Sequence, residues 1–336
     1  MSGVGVGGRR VSSVVVVSVV VVVAVVVGSL GVASPRVRVA LLDGGAWLLN
    51  RAGGTVVHVN GQSGQVDARV DLVDGSGAGL VVVQSRDGVY LRNTVTGGLT
   101  RLDESNLALA ESVEGSPSER LVLSAGAGWL VDQVRGYLKR IDLVSLEPNA
   151  ATIELGVPID QAVGDGDAQV WPAVVPRGEV SVASGGDVVN TLRPGGPGDG
   201  LTVTTVDDDP VVINESARSV QAMTSAGLGE PIVLPEVVSG EVVAAEHMPL
   251  REAWFLARGD RDRVVGVDVG SGAVQVVELE VAAGHDLGAP QVLGSRLYVP
   301  DFTDNRLLAV DDGVRVGGED VELPRTLGGE VVPKER

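Results

Sequence analysis

The chain has no cysteine in its 336 residues. That excludes disulfides, thiolate metal centres and a lipid-modified cysteine, so stability outside a cell would rest on packing alone. Aromatic residues are scarce: four Trp, three Tyr and two Phe. A core of this size must then be built from valine and leucine. Lysine is nearly missing, with only Lys139 and Lys334, and histidine occurs three times, at His58, His247 and His285. Positive charge is outnumbered, 26 basic residues against 44 acidic ones, for a net charge of −18. Residues 1–33 hold two arginines and no acid, so the remainder carries −20. A domain this acidic lacks the clustered positive charge that phosphate contacts need, which excludes nucleic acid as a partner. What is abundant is glycine, 47 residues, and valine.

The valine is concentrated first in SSVVVVSVVVVVAVVVGSLGVA, residues 12–33. Twelve of the fourteen residues from 14 to 27 are valine, and residues 14–33 contain no charge and no proline. Valine favours strands, but ordinary strands run about 3–10 residues. About 20 apolar residues are what a membrane span requires, and a lone span satisfies its own backbone only as a helix. The strand preference costs a few tenths of a kcal/mol per residue in a helix. Each orphaned backbone group in hydrocarbon costs several kcal/mol. Residues 14–33 are therefore expected to be a transmembrane helix or signal anchor. Arg9 and Arg10 precede it, as in the positive n-region of a signal, and the run exceeds the roughly 7–15 residues of a cleaved one. The expected layout is a short cytoplasmic segment at 1–13, the span at 14–33, one large extracytoplasmic domain at 36–324, and a tail at 325–336.

That domain repeats. Trp47, Tyr90, Trp129, Trp171, Val212, Trp254 and Tyr298 each sit in a short apolar run, AWLLN, VYLRN, WLVDQ, VWPAV, PVVIN, AWFLA and LYVPD. Their spacings are 43, 39, 42, 41, 42 and 44 residues. Each run is followed by a second with period-two alternation, such as GTVVHVN, YLKRID or RVVGVDV, the signature of a strand. A third follows, such as AVQVVELE, and another precedes the aromatic run, such as GLVVVQ. Four strands per roughly 42 residues is the pattern of a propeller blade. The domain is predicted to be all-β, a seven-bladed β-propeller preceded by one N-terminal transmembrane helix. The runs around Trp171 and Val212 depart most from the repeat. Asp103, Asp142, Asp268 and Asp311, together with Asn60-Gly-Gln-Ser-Gly, mark a recurring turn after the third strand. A short Asx side chain bonds the backbone two residues on, so these aspartates are read as turn formers rather than calcium ligands.

An aromatic–Val run, a strand ending in Asp and a Ser-Gly turn together resemble the YVTN/NHL-type seven-bladed β-propeller repeats, over nearly all of residues 36–324. The tryptophan–aspartate dipeptide of WD40 repeats is absent. The layout also resembles the N-terminal part of actinobacterial membrane-anchored propeller proteins that in longer members carry fibronectin type III domains. The resemblance implies a binding or scaffolding module at the cell membrane. Alternatives are a propeller enzyme, lyase or hydrolase, working at the central channel, and a shortened remnant of a multidomain fibronectin type III protein.

No catalytic residue, metal site or cofactor is predicted. The three histidines share no phase: His58 falls in a third strand, His247 in a first strand and His285 in an inter-blade loop. Gly75-Ser-Gly77-Ala-Gly79 precedes a strand, not the helix a phosphate loop needs. Asp207-Asp208-Asp209 reads as a solvated turn. Leu323-Pro-Arg-Thr326 lacks the glycine and hydrophobic tail of a sortase signal. Charge is unequal between the two faces. Loops after the second and fourth strands share one face, and each blade places an arginine there: Arg51, Arg92, Arg135, Arg177, Arg218, Arg261 and Arg306. Asp74, Glu119, Asp160, Asp199, Glu241 and Asp286 lie in the inter-blade loops of that face. The opposite face carries Asp43, Asp87, Asp165, Asp167, Asp207 to Asp209 and the turn aspartates. Either each arginine pairs with a neighbouring acid, worth about 0–1 kcal/mol when exposed, or the arginines bind an anionic partner, guanidinium being suited to carboxylate and phosphate. Partners expected on this reading are the membrane through residues 14–33, anionic lipid headgroups, and an extracytoplasmic protein.

Overall fold

A computed structural model describes residues 45–50, 54–60, 66–72, 79–85, 87–110, 112–245, 247–248, 251–279, 281–282, 284–293, 296–304, 306–310 and 321–322. The expected span at 14–33, Arg51, Asp43, Asp74, Asp311, most of the glycine-rich stretch at 75–79 and the 323–326 motif lie outside them. Among the described residues no helix is long and apolar enough to cross a membrane. The described chain is all-β, apart from one 3-10 turn at Val175–Arg177.

Its strands form seven sheets among the described residues. The aromatic runs are their organising strands: Gly45–Asn50, Gly88–Asn93, Ala127–Asp132, Val170–Val174, Asp209–Asn214, Glu252–Arg258 and Arg296–Asp301. From the second sheet onward each is preceded by a hairpin-linked strand: Leu80–Ser85, Glu119–Ser124, Gln161–Gly164, Leu201–Val206, Glu241–Ala244 and Gln291–Leu293. A third strand then pairs antiparallel on the other side. Fourth strands are short, as at Ala108–Leu109, Ile153–Glu154 and Val321–Glu322, or longer, as at Asp187–Leu192 and Val274–Glu278. The sheet around Trp171 keeps the four-strand order, so that stretch departs from the repeat in sequence and in local register, where the ladder skips Trp171 and Pro172, and not in sheet order. The fifth sheet does depart, because Thr205 and Val206 pair in parallel with His247 and Met248. His247 is thus not in a first strand, as its sequence phase suggested. It belongs to a two-residue strand in the sixth hairpin that leans onto the neighbouring sheet.

The core is laminated between successive sheets rather than gathered at one centre. Trp47, Leu49, Val82 and Leu91 join the first two sheets. Tyr90, Leu121 and Ile141 join the second and third, and Trp129, Ala162 and Val170 the third and fourth. Trp171, Val203 and Val212 continue the series, and one larger cluster runs from Ile213 through Trp254 and Phe255 to Val299 and Leu308. Each fully buried valine or leucine contributes about 1.5–3 kcal/mol. Gly164 allows the close approach of the third and fourth sheets, since a Cβ there would sit 2.1 Å from the Leu123 carbonyl oxygen. Gly266 stands cross-strand from Trp254 and leaves room for its ring.

Candidate functional site: an acidic belt of hairpins

The hairpins between first and second strands are tied to one another from the second sheet to the sixth. The Gly126 N–H donates to Asp87 Oδ2 at 3.3 Å. The Ala125 N–H donates to the Asp165 carbonyl at 3.0 Å, and the Gly166 N–H to the Asp208 carbonyl at 3.1 Å. The Asp207 N–H donates to the Met248 carbonyl at 2.9 Å. These loops hold the acids that the sequence placed on this face, so the belt carries its acidic residues on tethered backbone. Asp167, Asp207 and Asp209 are exposed, and Asp87 and Asp208 are half-buried.

Local chemistry sets each position. Asp165 is buried and spends its oxygens internally. Oδ1 accepts from the N–H groups of Asp167 and Gln169, both at 2.9 Å, and Oδ2 from Trp171 Nε1 at 2.7 Å. Asp207 and Asp208 occupy the left-handed region, with φ of 51° and 69°. They form the two-residue loop between Leu201–Val206 and Asp209–Asn214 that tight hairpins favour, as expected for a turn. His247 Nδ1 lies 3.0 Å from Thr205 Oγ1 and 3.7 Å from Asp208 Oδ1. Beside the belt, an open cleft of about 310 Å³ is lined by Asp87, Arg101, Asp103, Glu104 and Ser105.

The turn aspartates behave as read from the sequence. The Asp103 carboxylate accepts from the Ser105 N–H and hydroxyl, Asp142 from the Val144 and Ser145 N–H groups, and Asp268 from those of Gly270 and Ser271. The Ser105 hydroxyl leads in holding Asp103 below the usual carboxylate range, the Ser145 backbone N–H does so for Asp142, and the Ser271 hydroxyl for Asp268.

The opposite face is less uniform than an arginine ring. Arg92 is buried and donates to the Ser116 and Pro117 carbonyls. Burial pulls its pKa down, against the pull of Glu119. Glu119 itself takes Lys139 Nζ at 2.6 Å. Arg261 pairs with Glu278, and Arg306 with Asp301 and Asp304. Glu241 and Asp286 face Arg258, which the sequence reading did not single out. Arg135 and Arg177 are exposed and Arg218 half-buried, on three successive sheets, with no ion pair among the described residues. Sequence reasoning also missed Glu215, whose carboxyl burial pushes up despite hydrogen bonds from the Val242 backbone and Thr202.

Among solved structures, the chain is similar to virginiamycin B lyase from Staphylococcus aureus, with a TM-score of 0.59 at 11% identity over 79% of this chain and 90% of that one. It is similar to the WD40 domain of Neurospora crassa Pan2, with a TM-score of 0.53 at 12% identity over 79% and 85%. The fold is a β-propeller. A computationally designed protein, Ika8, shares it, with a TM-score of 0.58 at 14% identity over 81% and 82%. No protein-family profile matches the chain. No curated protein sequence matches it either. The propeller arrangement explains the belt, because hairpins between first and second strands of successive sheets come together on one face.

Proposed function

We propose that the seven sheets are blades of one closed ring, and that this ring is a membrane-tethered scaffold. Residues 14–33 hold it to the bilayer with the propeller on the extracytoplasmic side. The acidic face receives a cationic segment of a partner protein. The hairpin belt carries this reading: the loops that bear its carboxylates are tied to one another by backbone hydrogen bonds before any partner arrives. Preorganised groups lose little freedom on binding, and a field of one sign steers an oppositely charged partner. The net charge of −18 favours the same class of partner. The other face, with Arg135, Arg177 and Arg218, turns toward the membrane and its anionic headgroups. A lyase or hydrolase at the channel is the competing class, but the likeness to a lyase is one of fold, and the buried carboxylate of the belt, Asp165, is spent on its own turn and on Trp171.

The test uses a fluorescent decalysine peptide and the purified full chain in detergent. Binding is expected to weaken steeply with salt, since screening shortens to about 3 Å at 1 M. The triple variant D167N/D207N/D209N should lose most of the affinity, whereas R135E/R177E/R218E should keep it. Salt-independent binding, or equal binding by the aspartate variant, would overturn the proposal.

A further inference from the structure

The seventh sheet holds a cluster that the scaffold reading leaves unused. Strand Arg296–Asp301 ends at Asp301, whose side chain is fully buried. Its Oδ1 accepts from the N–H groups of Thr303 at 3.1 Å and Asp304 at 3.2 Å, which fixes the turn. Its Oδ2 faces His285 Nδ1 at 2.9 Å and Arg306 Nε at 3.1 Å. Asp304 Oδ2 lies 3.9 Å from the same His285 Nδ1 and 3.4 Å from the second nitrogen that Arg306 offers. His285 comes from the connector ahead of the sheet. That connector is laced to the turn: the Asp286 N–H donates to Thr303 Oγ1, the Phe302 N–H to the Asp286 carbonyl and the Gly288 N–H to the Pro300 carbonyl, each at 2.8 Å. One imidazole and two carboxylates thus converge from two segments, with their ligating atoms within 4.8 Å of one another.

The geometry points to a divalent transition-metal site of one histidine and two aspartates, zinc-like in class, in which Arg306 stands as the resident cation when no metal is bound. Zinc holds such donors at about 2.0–2.2 Å, which keeps tetrahedral ligands roughly 3.4 Å apart. The observed 2.9 and 3.9 Å straddle that separation. Imidazole with carboxylate is a donor set suited to zinc, manganese or cobalt. Charge argues the same way. Asp301 and Asp304 together carry two negative charges, and Arg306 returns one. A dication would return both. Arg306 is partly exposed, and a long side chain of this kind can carry its head into water. Binding at Nδ1 moves the imidazole proton to Nε2. Three protein donors leave a fourth position for solvent or a ligand oxygen.

Cobalt(II) titrated into metal-free full chain reads the site directly. A visible d–d band saturating at one equivalent is expected, displaced by zinc, with a rise in melting temperature. His285→Ala and Asp304→Asn should each weaken binding by about 10-fold or more. Both substitutions leave the turn bonds of Asp301 in place, so they keep the fold. Arg306→Ala removes the competing cation and should tighten binding, an outcome a plain ion-pair cluster does not produce. No band in the wild type, a band unchanged in both ligand variants, or no tightening in Arg306→Ala would overturn the assignment.

Discussion

At the scale of single residues, the recurring device is an Asx side chain folded back onto its own turn. It appears after third strands at Asp103, Asp142 and Asp268. It appears again at the end of second strands, where Asn93 accepts from Val95 and Thr96, Asp132 from Val134 and Arg135, and Asn214 from Ala217. The first set was legible as Asp before Ser-Gly-like turns. The second was equally present, as Asn93 in VYLRN, Asp132 in WLVDQ and Asn214 in PVVIN, but one Asx at a strand end, without a Ser-Gly after it, does not mark a turn in sequence. A depressed carboxyl pKa stabilises the fold above the unfolded value of about 3.9 and loses that contribution as pH falls through the folded value. Asp142→Asn keeps an acceptor without the charge. Thermal melts of that variant should show a flatter loss of stability below about pH 4, whereas Asp142→Ala should melt lower at every pH.

At the scale of strands, the outer edges are where a propeller meets its neighbours in solution. Two long outer strands each carry one extra residue. Opposite Thr55–Asn60, Ala68 and Val66 pair with His58 and Val59, leaving Asp67 over. Opposite Glu179–Ser184, Asn190 and Val188 pair with Val182 and Ala183, leaving Val189 over. Bulges of this kind twist an edge away from edge-to-edge pairing. His58 pins the first by meeting Asp67 Oδ1 at 2.5 Å, and that bond leads in lowering the Asp67 pKa. Deleting Val189 straightens the second. Light scattering after size exclusion should then detect dimers or larger species that the parent chain does not form at the same concentration. The strands themselves were legible, because alternating apolar residues and a phased aromatic survive divergence. The bulges were not, since an extra residue in a strand leaves no local signature. Nor was the short His247–Met248 strand, whose partner lies some 40 residues earlier in the chain.

At the scale of the whole molecule, the sheet unit and its phase could be counted in the sequence, whereas the sharing of charge could not. Sequence position placed arginines on one face, but whether an arginine meets a carbonyl, as Arg92 does, or a carboxylate, as Arg306 does, depends on packing between sheets. The metal-type cluster was hidden for the same reason: His285 and Asp301 belong to different segments and meet only when the seventh sheet closes on its connector. The proposed orientation can be read with single cysteines, because the native chain has none. In intact cells a membrane-impermeant maleimide should label Asp167→Cys and leave Gly5→Cys unlabelled until the membrane is opened. Labelling of Gly5→Cys alone would reverse the assigned topology, and labelling of neither or of both would remove it.

The parallel pairing of His247–Met248 with the inner strand of the fifth sheet has a consequence for how such a ring could be lengthened or shortened. Gene duplication or deletion of one repeat works most simply where neighbouring units pack face to face but share no strand. A cut between the fifth and sixth would strip one of a borrowed strand and leave the other with a dangling hairpin. Those two must be inherited, or grafted by a protein engineer, as an indivisible couple.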